Sequence, residues 1–428
     1  MTAERAQVIV VGAGPAGAAT GFYLARLGLD VLVLDRARFP RDKPCSEYMS
    51  PQASRLLADM GALEDVERAG AATLAGMQVR APNGTIFHGR YADVAGFRGY
   101  RDHGLALRRT ILDPLLVARA RAAGARVREG VRVVAPTIDG SGRVSGVEVI
   151  DEYGGRRALS ASIVVGADGL RSVVSRRLGL ASTRIGQRRV AFVSHFAGVE
   201  GMSDSGEMHV EHDGYLGLAD VGHGLTNVAV VVPASQAKAA AGNPAAFMDD
   251  WIRRRPHVLP RFARAHRVDA VLATGPFASA SVRAWAPGAA LVGDAADFFD
   301  PFTGEGIYAA IRGAELLAPR IAEFISARNP RDANGRLADY DRARVNEFSG
   351  KWKVEQMIGA AVSFPSLMNI GARSLSLRPA MAHTIVGVTG DFVPAREVLR
   401  PGFLLRLALP WAFGRVRSAS AVPTPKST

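Results

Sequence analysis

The chain of 428 residues has a single cysteine, Cys45. That excludes an internal disulfide framework, a CxxC redox centre and a cysteine-built metal site, and it fits a reducing cytoplasm. Lysine is almost as scarce. There are five, so arginine carries nearly all of the positive charge behind the net +13. The arginines are scattered, with no zinc-finger, aromatic RNP or basic-region pattern, which argues against nucleic acid as a partner. Two readings of the charge stand: a by-product of Ala/Arg-rich composition, or attraction to an anionic surface. Long apolar runs are missing as well. None reaches the roughly 18 consecutive apolar residues of a membrane span. The opening MTAERAQ leads into an apolar strand without a signal-peptide core. A cytoplasmic protein is expected. With 48% apolar residues the chain is globular, and its length suits two domains.

Glycine, by contrast, is plentiful and well placed. Residues 8–35 read VIVVGAGPAGAATGFYLARLGLDVLVLD. Val8 to Val11 is a short buried strand. Gly12, Gly14 and Gly17 follow in G-x-G-x-x-G spacing, for the tight turn, the close approach of a pyrophosphate and helix packing. Pro15 and Ala16 open a helix to about Leu27, whose N-terminus points its dipole at phosphates. Gly28 is its expected C-cap. A second strand, Val31 to Leu34, ends at Asp35, 23 residues after Gly12, where an acid accepts from a ribose hydroxyl. Asp35 favours a hydroxyl over a 2′-phosphate by charge; its neighbour Arg36 argues the reverse.

Residues 105–120, LALRRTILDPLLVARA, read as an amphipathic helix burying Leu112, Leu115 and Leu116, with Arg109 near its start. ASIVVGADGL, residues 161–170, is a buried strand running into Asp168-Gly169, a junction that can face a bound cofactor. About 280 residues after the first glycines comes AALVGDAADFFDPFTGEGIYAAIRGAELLA. Ala289 to Val292 is a strand, and Asp294 at its end can accept from a sugar hydroxyl. Asp300-Pro301 begins a turn, Gly304 and Gly306 admit close backbone approach, and a helix runs from Gly306 to about Ala318.

These three motifs, in this order and spacing, resemble the aromatic-hydroxylase superfamily of FAD enzymes, which includes geranylgeranyl reductases and flavin halogenases. The resemblance implies an α/β fold: a Rossmann-like FAD-binding domain, a mixed or antiparallel substrate sheet, and a helical C-terminal region. It places FAD-binding segments at 1–72, 100–182 and 273–340, substrate segments at 73–99 and 183–272, and the helical region at 341–428. It implies that Asp294 bonds the ribityl chain, Arg109 contacts the pyrophosphate or ribityl region, and Asp168 serves the cofactor and NAD(P)H. The helix at Gly306 would face the flavin pyrimidine edge. Only one full dinucleotide fingerprint is present. NADH or NADPH would therefore dock transiently, or a partner reductase would supply electrons.

Within the substrate segments, Asn83-Gly84 signals a hairpin. His195, His209 and His212 are expected on strands, as ordinary structural histidines or as partners of a phenol. The geranylgeranyl reductases carry Tyr-x-Trp-x-Phe-Pro where this chain has Tyr215-Leu-Gly-Leu-Ala, and the Trp-x-Trp-x-Ile-Pro of the halogenases is missing too. The reductases' Lys-x-Cys-Gly-Gly survives as Lys43 and Cys45, followed by Ser46, Glu47 and Tyr48. Cys45 either touches the flavin and substrate pocket or is a small half-buried apolar residue. Tyr48 and Glu47 are candidate proton partners.

Residues 371–417 combine Phe403, Leu404, Leu405, Leu407, Leu409, Trp411 and Phe413 with Arg396, Arg400, Arg406, Arg415 and Arg417. They form either a helix docked on the core or a face lying in a membrane interface. The final SASAVPTPKST is expected to be disordered. The leading expectation is an NAD(P)H-dependent monooxygenase that hydroxylates a lipophilic aromatic or polyketide-type substrate through a flavin C4a-hydroperoxide. The alternatives are reduction of isoprenoid or quinone-lipid double bonds, and a non-catalytic flavin electron carrier.

Overall fold

A computed structural model describes residues 4–183, 188–240, 242–277, 279–298 and 300–411. The expected disordered tail lies outside the described residues, as do Phe413, Arg415 and Arg417. The base of the fold is a sheet ordered Trp285–Ala286, Ala289–Leu291, Arg156–Gly166, Arg5–Val11, Val31–Leu34, Arg126–Arg128. The last five of these strands run parallel, from Ala289–Leu291 to Arg126–Arg128. Val8 to Val10 and Val31 to Leu34 are almost completely buried, as central parallel strands require. The first helix, Pro15–Arg26, ends where expected, and Gly28 takes the left-handed conformation.

A second sheet stands beside the first. Its order is His266–Arg267, Arg189–Ala197, Leu225–Pro233, Gly214–Asp220, Ser205–Glu211, Gly76–Arg80, Ile86–Arg90. All its pairings on this path are antiparallel except Ser205–Glu211 with Gly76–Arg80. The Asn83-Gly84 hairpin is present. Strand alternation explains its two faces. Ala191, Val193, Ala229 and Val231 face the cavity described below. Phe192, Phe196, Val228 and Val230 pack outward against Trp251 and Met248 of the helix Pro244–Arg253.

Two expectations need correction. His212 lies in the turn between Ser205–Glu211 and Gly214–Asp220, so it is not a strand residue. The helix opening at Gly306 runs to Ile325, through Pro319. Ile321 and Phe324 beyond the proline are buried, and that packing outweighs the lost backbone hydrogen bond. The C-terminal region is helical: Pro330–Ser363, Pro365–Leu377, Pro379–Thr389 and Pro401–Ala408 are its longer helices, and the first runs through residue 341 unbroken. Among the described residues no helix is long and apolar enough to cross a membrane.

Candidate functional site

The site begins at the first strand–helix junction. Gly12 has φ 98°, and a Cβ there would stand 2.5 Å from the Ala167 carbonyl oxygen. The glycine and Asp-Gly motifs are thus in backbone contact, which excludes any side chain at Gly12. Gly17 packs on the Gly12 carbonyl. No side chain caps the helix that Pro15 opens. Its free amide end is flanked instead by two guanidinium groups. A Cβ at Gly14 would lie 3.3 Å from Arg41 Nη2 and 3.6 Å from Arg109 Nη2.

Arg109 is buried and forks onto Asp113 at 2.6 and 2.8 Å, while Arg41 reaches the same carboxylate at 3.3 Å. Burial opposes its charge, but Asp113 and the neighbouring Cys45 outweigh burial and raise the Arg109 pKa. The guanidinium is therefore a permanent cation beside the glycine loop. Two cations beside a helix N-terminus form a cradle that can hold an anion such as a pyrophosphate. Asp35 accepts from the Ala13 amide and the Ala37 amide, both at 2.8 Å. Arg36 beside it is exposed.

The other end of the cradle is the Gly-Asp motif. Gly293–Ala295 forms a short turn after the strand Ala289–Leu291, and Asp294 Oδ2 lies 3.6 Å from Lys43 Nζ. Lys43 Nζ also stands 3.4 Å from the place a Cβ would take at Gly169. The Lys43–Cys45 loop therefore touches both later motifs. Asp168 Oδ2 accepts from the Val173 amide at 2.6 Å, while its Oδ1 is buried without a partner. Burial pushes its carboxyl up. Asp168 itself is not among the residues that line the cavity described below; its neighbours Ala167, Gly169 and Leu170 are.

The turn after Asp294 is fixed by the second sheet. Asp300 accepts from Tyr215 at 2.7 Å, from the Phe302 amide at 3.0 Å and from Arg189 at 2.6 Å. Arg189 also donates to Ser363 Oγ and the Gly359 carbonyl of the long helix Pro330–Ser363. Pro301 starts the turn, and Gly304 closes it in the left-handed region, φ 73°. A Cβ at Gly304 would meet the Tyr48 ring at 2.8 Å. Tyr48 presents this ring to the cavity, and its hydroxyl donates to Tyr91 at 2.5 Å. Burial pushes the Tyr48 phenol up, so it stays protonated.

One cavity joins these parts. Gly14, Arg109, Cys45, Tyr48, Asp294 and Gly306 all line it. So do Pro15, Ala16, Gly293, Pro301 and Gly304. Beyond them the lining is mostly apolar, with Met77, Met208, Val231, Phe277, Phe298 and Phe302, but Asn227, Glu207, Asp297, Glu305, Arg344 and Glu355 reach it as well.

Behind Cys45 lies an arrangement that the sequence hides. Glu47 is buried with φ 62°, a strained conformation for a non-glycine residue. Its carboxylate accepts from the Arg109 amide at 2.8 Å and from Asn227 at 3.0 Å, and it lies 2.7 Å from His195 Nε2. Its own amide donates to Cys45 Sγ at 3.3 Å. His195 Nδ1 lies 2.6 Å from Asp269, which also accepts from Arg108 at 2.9 Å. Burial disfavours the imidazolium, but the two carboxylates outweigh it and raise the His195 pKa. His209 pairs instead with Glu207, at 2.8 Å.

Fold and site together define a flavoprotein. Residues 5–347 match the model of the family described as "FAD binding domain", and the chain belongs to that family. It is an FAD-dependent oxidoreductase. A menaquinone reductase of Mycolicibacterium smegmatis is 30% identical over 91% of this chain and 92% of its own length. A digeranylgeranylglycerophospholipid reductase of Methanosarcina mazei is 28% identical over 76% of this chain and 77% of its own. The same fold occurs in a myxobacterial chondrochloren halogenase: TM-score 0.75, 22% identity, covering 95% of this chain and 91% of that one. It also occurs in a geranylgeranyl bacteriochlorophyll reductase-like protein of Thermoplasma acidophilum: TM-score 0.73, 20% identity, 95% and 96% covered.

Proposed function

We propose that this chain is an FAD-dependent reductase that saturates a carbon–carbon double bond of an isoprenoid or quinone lipid. The observation that carries the reading is the meeting of a largely apolar cavity with the Lys43–Cys45 loop at the Gly-Asp motif. The reductase names of its relatives support it. Bound FAD supplies two-electron redox chemistry.

The protein's share is binding, orientation and proton handling. Arg41, Arg109 and the helix N-terminus at Pro15 hold the pyrophosphate. Asp294 accepts from the ribityl chain, and the helix at Gly306 directs its positive end at the flavin. Met77, Val231 and Phe277 bind the lipid and exclude water. Cys45 Sγ, held by the Glu47 amide and lining the cavity, carries the proton delivered to the substrate carbon. Glu47 and Tyr48 position this loop. NADH or NADPH docking transiently, or a partner reductase, supplies the electrons.

Oxygenation of a lipophilic substrate in the same cavity is the second reading. The observation favouring it is Tyr215-Leu-Gly-Leu-Ala in place of the aromatic motif of isoprenoid reductases. Adding a prenylated quinone or unsaturated isoprenoid lipid to the reduced holoenzyme without oxygen separates the two. Return of the oxidised flavin spectrum with a saturated product supports reduction. Turnover that starts only when oxygen is admitted contradicts it.

A further inference from the structure

The helices Pro365–Leu377 and Pro401–Ala408 pack on each other at one edge of the molecule. Ser374 Oγ donates to the Arg406 carbonyl at 2.9 Å, and Arg378 Nη2 donates to the Pro410 carbonyl at 3.1 Å. Apart from the buried Ser374, their inward side chains are apolar. Met368, Ala372 and Leu375, with Phe403 and Leu407 against them, belong to the same cluster as Met208 and Val231 of the cavity wall.

Large apolar side chains also face outward, beside the exposed Ser366, Arg373, Ser376 and Arg406. Phe364, Leu367, Leu405 and Trp411 are each more than half exposed, and Leu377 nearly half. A helix pair that merely covers a core turns polar residues to water. The surrounding charge has one sign. Residues 364–411 hold five arginines (Arg373, Arg378, Arg396, Arg400 and Arg406) and two acids. Both acids turn inward: Asp391 pairs with Lys351, its side chain fully buried, and Glu397 is buried and accepts from Arg400.

We infer that this face docks on an anionic lipid bilayer. Such a surface offers acyl chains to Phe364, Leu367, Leu405 and Trp411 and phosphate headgroups to the arginines. The other occupants meet like charge. A second copy packed face to face sets the same arginines against each other. Residues 412–428 carry Arg415, Arg417 and Lys426 and no acid. Docking also sets the helix Pro365–Leu377, whose inner side belongs to the cluster behind the cavity wall, against the acyl chains. The inference goes beyond the proposed reaction and holds for reduction and oxygenation alike.

Flotation of the full-length holoenzyme with vesicles tests it without any turnover. One set is phosphatidylcholine alone and the other contains phosphatidylglycerol. Binding is expected to the anionic vesicles only, and to fall with salt. Leu405→Glu with Trp411→Glu should abolish binding while flavin content and melting temperature stay at wild-type values. Arg373→Gln should weaken it about fivefold. Equal binding to both vesicle types, no binding to either, or binding untouched by the double substitution overturns the inference. A dimer in sedimentation velocity that the double substitution dissociates overturns it in favour of a second copy.

Discussion

His195 Nε2 lies 2.7 Å from Glu47 Oε2, across 148 residues of sequence. The imidazole sits on the cavity face of the substrate sheet, and the carboxylate on the loop that carries Cys45. This pair ties the two halves of the site together, and Asp269 holds the ring from its other side. Glu47→Ala removes one partner each from His195 and Asn227, and the acceptor of the Arg109 amide, at once. The expected cost is about 3–5 kcal/mol, read by chemical denaturation. A loss within the range of a surface substitution contradicts the buried network.

The same pair sets a pH dependence. The folded-state pKa of His195 is raised above its ordinary value of 6.5. The stability it contributes is fully present below about pH 6.5 and drains away as pH rises through the folded-state value. Thermal melts between about pH 6 and 9 should show wild type losing its advantage over His195→Gln as pH rises. Parallel curves would mean that the ring is not charged in the fold.

Flavin retention reports on the Gly-Asp motif. Asp294→Ala removes an acceptor for a sugar hydroxyl, worth about 1.5–3 kcal/mol when the acceptor is charged. FAD affinity should fall about tenfold to a hundredfold, measured by flavin fluorescence on dilution. A variant that purifies as yellow as wild type removes Asp294 from the cofactor site.

Arg41 and Arg109 differ in what they support. Arg109→Ala leaves Asp113 buried with only Arg41, at 3.3 Å, so it should cost about 3–5 kcal/mol in stability as well as cofactor. Arg41→Ala touches the cradle and leaves the Arg109–Asp113 fork intact. Its melting temperature without cofactor should match wild type while FAD binding weakens. Equal loss of stability in the two variants contradicts this division.

Cys45 and Tyr48 separate by the same logic. Tyr48→Phe keeps the ring against Gly304 and loses one hydrogen bond to Tyr91, about 1 kcal/mol, with turnover nearly unchanged. Cys45→Ser should keep flavin content and flavin reduction by NAD(P)H, and lower lipid turnover about a hundredfold or more. Wild-type turnover in Cys45→Ser removes the thiol from the reaction.

What the sequence makes legible is what local sterics impose. Gly12, Gly17 and Gly304 stand where backbone or ring contact forbids a Cβ, so the glycines mark the tight turns of the candidate site directly. The helix at Arg109 and the hairpin at Gly84 follow from periodicity and turn chemistry over a few residues. The bracing contacts do not. Glu47 meets His195, and Asp300 meets Tyr215 and Arg189, only after two sheets assemble. No spacing rule reaches over such separations. The positive φ of Glu47 has no glycine or asparagine to announce it. Tyr48 was legible as a neighbour of the cofactor loop, but the direction of its hydroxyl depends on Tyr91, 43 residues away.

The most direct measurement is mass spectrometry of products formed by the holoenzyme with NADH or NADPH and a lipid extract of the source organism under labelled oxygen. Reduction of a lipid double bond predicts a product heavier by two hydrogens and free of label. A product carrying one labelled oxygen atom contradicts the reductase reading and makes the enzyme a monooxygenase.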